Sequence, residues 1–177
     1  MSSILTLSQH RWSLAILAEL GATGGSRFVP LANGLGASRD ALRQTLDALS
    51  KAGLVMANPG YGHPSRPEYI LTPDGKRIAP LCNTLLRALR RHGVEDVVLK
   101  KWSMPILAAL DDETRYGELR RGLGATPRAL TITLKEMGDR GLVERRVHTG
   151  FPPSTTYRVG AKGRHVRRHV VVLAAAL

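Results

Sequence analysis

Two short stretches of this chain carry side chains suited to reading a polyanion. One runs Ser38, Arg39, Asp40, Arg43, Gln44 and Asp47; the other runs Thr126, Pro127, Arg128, Thr131, Ile132 and Lys135. Arginine and glutamine can make bidentate contacts to guanine and adenine edges, threonine can touch a thymine methyl, and any of the cations can hold a phosphate. A second basic set flanks two turns rich in proline and glycine: His63 and Arg66 at the first, Arg145, Arg146 and His148 at the second. Catalytic chemistry has no such footing. There is no phosphate-cradling glycine loop, no nucleophile elbow and no cluster of metal ligands. Asp111, Asp112 and Glu113 crowd one turn, which suits a helix junction better than acid and base work. His165 and His169 are four apart, but with no third ligand nearby a solvated basic face is the better reading. The expectation is a protein that is not an enzyme, with no cofactor and no metal.

Composition points the same way. The 177 residues hold 26 Lys and Arg against 14 Asp and Glu, a formal charge of +12, and 43% are hydrophobic, enough to bury a core. The longest purely apolar run, Val170 to Leu177, falls far short of the ~18–20 residues needed to span a bilayer, so no membrane partner is expected. The N-terminus shows no charged leader and no cleavage pattern, and the single cysteine, Cys82, permits no internal disulfide. A reducing cytoplasm is the expected compartment. Cys82 lies among Leu81, Leu85 and Leu86 and reads as an inert buried thiol.

The two polar stretches are equivalent because the chain repeats itself. Shifting it by 88 residues lays Phe28–Ile78 on Tyr116–Val166 without a gap, and 16 of the 51 positions are identical. GLGA recurs at 34–37 and 122–125, GLV at 53–55 and 141–143, and upstream RWSLAILAEL at 11–20 matches KWSMPILAAL at 101–110. Duplication explains this, with a boundary expected between residues 93 and 94. Residues 1–93 hold 11 basic and 5 acidic side chains and residues 94–177 hold 15 and 9, so each half carries +6.

Each copy reads as helix, helix, helix and hairpin. In the second, Trp102, Ile106, Leu107 and Leu110 mark a first helix, Tyr116–Leu123 a second, and Thr126 followed by Pro127 starts a third with the stripe Leu130, Leu134, Met137. LVERRVH and TYRV read as strands around the turn TGFPPST, and a closing helix runs from about Ala161 to Leu177. The first copy predicts a helix near Ser8–Leu20, a short one after Pro30, a third from Ser38 to about Ala52, two strands, and a helix started by Thr72 and Pro73. Trp12 and Trp102 hold equivalent places on apolar stripes and read as core residues. The fold expected is mainly α with small β-hairpins (α+β): two tandem winged helix-turn-helix domains in a pseudo-two-fold arrangement.

These residues resemble the HxlR-type winged helix regulators of bacteria and archaea. The second copy is the more similar, through KWSMPIL, RYGELRRGL, TPRALTITLKEM, RGLVERRV and FPPSTTYRVGAKG; the first keeps RW, RF, ALRQTLDAL, AGLV and EYILTPDG. The resemblance implies DNA binding by pairs of such domains whose terminal helices pack together and whose recognition helices enter successive major grooves. Here one chain would supply both halves, with residues 74–92 and 95–100 as interface and linker. Some relatives sense oxidants through a cysteine just before the KW motif; Cys82 lies 20 residues before Trp102, so that role does not carry over.

The expected function is a sequence-specific regulator of transcription, a repressor reading two half-sites of double-stranded DNA. Its contacts would be Ser38, Arg39, Arg43, Gln44, His63 and Arg66 in the first half, and Thr126, Arg128, Thr131, Lys135, Arg145, Arg146 and His148 in the second. Asp40 and Asp47 would repel phosphate, so the second half should grip more strongly and the target should be an imperfect palindrome. Two other readings stand beside this one: a winged-helix protein-interaction scaffold, and a regulator answering to a small-molecule effector held between the halves. Further pairing of whole chains stays open.

Overall fold

The computed structural model describes residues 2–60, 66–151 and 153–177. The first copy runs α1 (Ser2–Ser8), α2 (Ser13–Thr23), β1 (Ser26–Arg27), α3 (Phe28–Leu35), α4 (Arg39–Lys51), β2 (Val55–Ala57), β3 (Glu68–Leu71) and α5 (Pro73–His92). The second runs α6 (Glu95–Val98), α7 (Ser103–Ala109), β4 (Thr114–Arg115), α8 (Tyr116–Leu123), α9 (Pro127–Asp139), β5 (Val143–His148), β6 (Ser154–Val159) and α10 (Ala161–Ala176). Both copies are winged helix-turn-helix units, and the chain is mainly helical with two small antiparallel sheets.

The starts of the long helices follow from local chemistry. Ser38 and Thr126 cap α4 and α9 by accepting the backbone N–H of Ala41 and Ala129, each at 3.2 Å. Thr72 caps α5 through Gly75 N at 3.1 Å, and Pro73 follows at the first helical position, where its missing N–H costs nothing. Amphipathic spacing does the rest: α4 buries Leu42, Leu46 and Leu49, and α9 buries Leu130, Leu134 and Met137.

Three expectations need correction. The helix expected near Ser8–Leu20 starts later, as α2 at Ser13, and a further helix not expected, α1, precedes it across a turn over residues 9–12. Part of the expected linker, Glu95–Val98, is the short helix α6, locked to α7 by the Ser103 hydroxyl donating to Val97 O at 2.7 Å. Each wing also has a third strand: β1 pairs with β3 (Ser26 opposite Tyr69) and β4 with β6 (Thr114 opposite Tyr157). A two-residue strand has no periodicity to read.

The halves share one continuous core. The interface helices α5 and α10 pack antiparallel: Arg77 Nη2 donates to Ala176 O at 3.1 Å at one end, and the His92 and His165 rings stack with centroids 5.2 Å apart at the other. Burial between them and the neighbouring positive side chains hold the His92 imidazole below its ordinary range. Ile78, Cys82, Leu85 and Leu89 of α5 and Val166, Val170 and Leu173 of α10 are all buried. The Cys82 thiol is pushed up to about 12 by that burial, which keeps it protonated and unreactive. Trp12 and Trp102 pack on the core but are only half-buried, each beneath a cation: Arg11 at 5.9 Å and Lys101 at 5.0 Å from the ring centroid. No helix among the described residues is long and apolar enough to cross a membrane.

The join from wing to interface helix depends on close backbone approach. A Cβ placed on Gly75 would lie 2.0 Å from Leu54 O, and one on Gly163 would lie 1.9 Å from Leu142 O. These are backbone atoms that cannot swing aside. Gly75→Ala and Gly163→Ala should therefore each lower unfolding free energy by more than about 2 kcal/mol in a urea titration. Gly34→Ala, where the new methyl meets nothing within 4 Å in α3, should be neutral or stabilising by up to about 1 kcal/mol.

Candidate nucleic-acid interface

In the second half a groove of about 690 Å³ runs between α9 and the wing, lined by Tyr116, Thr131, Lys135, Arg145, Thr155 and Tyr157 among others. Its form follows from strand alternation. Side chains of β5 alternate between the two faces of the wing, so Val143, Arg145 and Val147 share the face turned to α9, and Glu144, Arg146 and His148 share the other.

That alternation divides the basic residues expected there. Arg145 joins the groove and has no hydrogen-bond or ion-pair partner among the described residues. Arg146 turns away from α9 and binds Glu113 at 3.1 Å. His148 Nε2 lies 2.8 Å from Thr156 Oγ1 on the same averted face. Arg158 there reaches Glu144 at 2.5 Å, and this bond holds the Glu144 carboxyl below the ordinary carboxylate range. The averted face is a set of partnered charges, whereas the facing side keeps its cation free.

On α9, Arg128, Thr131, Ile132 and Lys135 are all exposed. Arg128 has no partner among the described residues. Lys135 reaches Asp139 at 3.0 Å, an exposed i,i+4 pair worth roughly 0.3–0.5 kcal/mol, which a phosphate would easily displace. The Tyr116 hydroxyl donates to Pro127 O and lies 3.1 Å from Thr131 Oγ1, so it ties α8 to the first two turns of α9. Thr126, expected as a contact, directs its side-chain oxygen to the Ala129 N–H instead, and Ser38 does the same for Ala41. Both hydroxyls position their helix.

The first half presents a different surface on the same plan. Arg39, Arg43 and Gln44 project from the exposed face of α4, but Arg43 is drawn to Asp40 at 3.4 Å. Position by position, Asp47 replaces Lys135, Ala57 replaces Arg145 and Phe28 replaces Tyr116. The Tyr69 phenol is raised above its ordinary range by burial and by the Asp47 carboxylate. Arg66 is exposed two residues before β3, and His63 lies outside the described residues.

The residue list drawn from sequence missed the apolar part of this surface. Ile132 stands exposed on α9, Val147 is exposed on the wing, and Phe151 at the wing tip is fully exposed. Alternation placed Val147 beside Arg145, and the turn TGFPPST placed Phe151 at the tip, so both signals were present.

Comparison with known proteins agrees with this architecture. The family described as HxlR-like helix-turn-helix matches the chain twice, over residues 7–95 and 97–176. An HTH-type transcriptional regulator of Synechocystis sp. is 29% identical over 82 residues, covering 45% of this chain and 61% of that protein. One from Methanothermobacter thermautotrophicus is 37% identical over 68 residues, covering 37% of this chain and 52% of that protein. The match thus spans between half and two thirds of the length of these curated relatives. The structure of the redox regulator HypR in its oxidized form is 28% identical, with a TM-score of 0.45, covering 49% of this chain and 91% of that one. Matched in both halves, the chain belongs to the HxlR-like helix-turn-helix family and carries two copies of its domain in one polypeptide.

Proposed function

We propose that this chain is a sequence-specific transcriptional regulator that binds double-stranded DNA and represses by occupying a promoter. The observation that carries the reading is the second half's open groove, where the unpartnered Arg145 faces Thr131 and Lys135 across solvent, with Arg128 on the same helix. Free guanidinium groups, Arg128 on the exposed face of α9 and Arg145 on the wing opposite, suit base edges and phosphates. The relatives' names, HTH-type transcriptional regulators, support the same class.

In this reading α9 and α4 enter successive major grooves, about 34 Å apart, and the two halves divide at Gly93, where α5 ends in a left-handed cap. Arg128, Thr131, Ile132, Lys135 and Arg145 make the base and phosphate contacts of the second half-site; Arg39, Arg43, Gln44, His63 and Arg66 make those of the first. Arg146 and His148 serve the far side of the wing, against a flanking phosphate. β5 carries the chain about 10 Å beyond Arg145, to His148, at roughly 3.3 Å per residue, and Phe151 follows in the turn at its tip. That reach carries Phe151 to the neighbouring minor groove, where an exposed apolar side chain can press between sugars or base steps. A scaffold role would draw on Asp40 and Asp47, but Asp40 is already partnered by Arg43.

Selection of bound genomic fragments followed by gel shifts tests the reading. A preferred fragment retained at moderate salt is expected; absence of any preference would favour the scaffold. Arg128→Ala and Lys135→Ala should each weaken binding to that fragment and reduce the slope of log affinity against log salt by about 0.9 per lost phosphate contact. An unchanged slope would remove the residue from the phosphate contacts. Phe151→Ala should behave differently, lowering affinity several-fold while leaving the salt slope unchanged, because it removes an apolar contact and no charge.

A further inference from the structure

A second cavity, of about 530 Å³, lies away from the DNA-facing surface, at the seam between the halves. Its walls are Ile4 and Leu5 of α1, Trp102 just before α7, Pro105 of α7, and Leu119 and Leu123 of α8. The volume falls within the ~300–1,000 Å³ usual for small-molecule sites, and the lining is apolar with few polar groups. We propose that this cleft binds a small uncharged aromatic effector and that its occupancy alters DNA binding. The second clause rests on the function proposed above, whereas the binding site itself stands without it.

Charge selects the class of ligand. Glu118 is the one charged residue of the lining, and its Oε2 already accepts the Arg115 N–H at 2.9 Å as part of the α8 cap. An anion would meet that carboxylate with no cation among the lining residues. A bare cation would have to compete with the cap for it, on a chain of net charge +12. A neutral ring meets neither penalty. Trp102 offers a half-buried aromatic face, and its indole N–H has no hydrogen-bond partner among the described residues. The ligand that fits is planar, uncharged and carries one acceptor for that N–H.

The duplication shows two lining positions at which the second half carries smaller side chains than the first. At the position of Ala174 the first half has Leu86, which is buried, and at the position of Ala109 it has Glu19. Two small side chains have thus opened space where the other copy carries larger ones.

The location gives the cleft its leverage. One wall, α1, comes from the first half and packs on α7 and α10, so the cleft is continuous with the interface between the halves. Another wall, α8, leads through Gly124 and Ala125 directly into α9. A ligand that spreads α1 from α8 shifts α9 relative to the first half and so changes the spacing of the two reading helices. A ligand that binds the two spacings unequally shifts the equilibrium between them, and DNA and ligand then affect one another reciprocally.

The test uses the full chain and N-phenyl-1-naphthylamine, an uncharged fluorescent aromatic. Its emission should rise saturably on titration with the unaltered protein, and in Trp12→Phe, which leaves Trp102 as the only tryptophan, Trp102 emission should fall in parallel. Ala109→Glu and Ala174→Leu each restore the first half's residue, and each should weaken probe binding at least tenfold. Ala109 is exposed, so its variant reports even if the Ala174 variant does not fold. No saturable binding, or parent-like binding by the folded variants, overturns the site. A second arm measures the affinity for the selected DNA fragment with and without saturating probe. A change of threefold or more in the parent, absent from both variants, is expected; equal affinity would overturn the effector role. If no DNA fragment is bound at all, the proposed function falls while the probe titration still decides the site.

Discussion

The antiparallel contact between α5 and α10 governs the rest of the molecule. Each helix springs directly from the last strand of its own wing, with only Thr72 or Gly160 between them. Fixing one helix against the other therefore fixes both wings and, through the sheets, α4 and α9. Between its polar ends the contact is aliphatic, with Ile78, Leu85 and Leu89 of α5 and Val166, Val170 and Leu173 of α10 buried in one core. Gly75 and Gly163 make the joint tight enough to transmit orientation, since each helix passes against a backbone carbonyl with no side chain between. Because both helices belong to one chain, the contact is intramolecular and forms without the concentration dependence that two separate chains would face.

Much of this was legible in the residues alone. The 88-residue repeat gave the number of units, and Thr126-Pro127, Ser38 and Thr72-Pro73 gave the starts of three long helices within a residue, because caps are local chemistry. What escaped had no local signature or was outvoted by one. The break between α1 and α2 falls at residues 9–12, where no glycine or proline marks it. The β1 and β4 strands exist only because β3 and β6 offer them an edge. Ser38 and Thr126 carry a cap signal as local as any, and their side-chain oxygens accept the Ala41 and Ala129 N–H groups. In the wing a period of two puts Arg145 and Arg146 on opposite faces, a division that strand alternation makes legible.

The two copies have kept the frame and changed the tools. Leucines at 42, 46 and 49 answer Leu130, Leu134 and Met137, so the α4 and α9 cores are nearly interchangeable. On their outer faces Asp40 answers Arg128 and Asp47 answers Lys135, a reversal of sign at both positions. Packing tolerates little change in shape, while a solvated face tolerates almost any charge; divergence has accumulated where the fold does not resist it.

Joining the halves covalently removes the exchange symmetry that a homodimer has. A pair of identical subunits reads its site the same way from either end, but a chain with Arg145 in one groove and Ala57 in the other does not. Such a molecule has two distinguishable ends. On the duplex proposed above, that asymmetry would let the base sequence choose the orientation, and a neighbour upstream or downstream would meet a defined side.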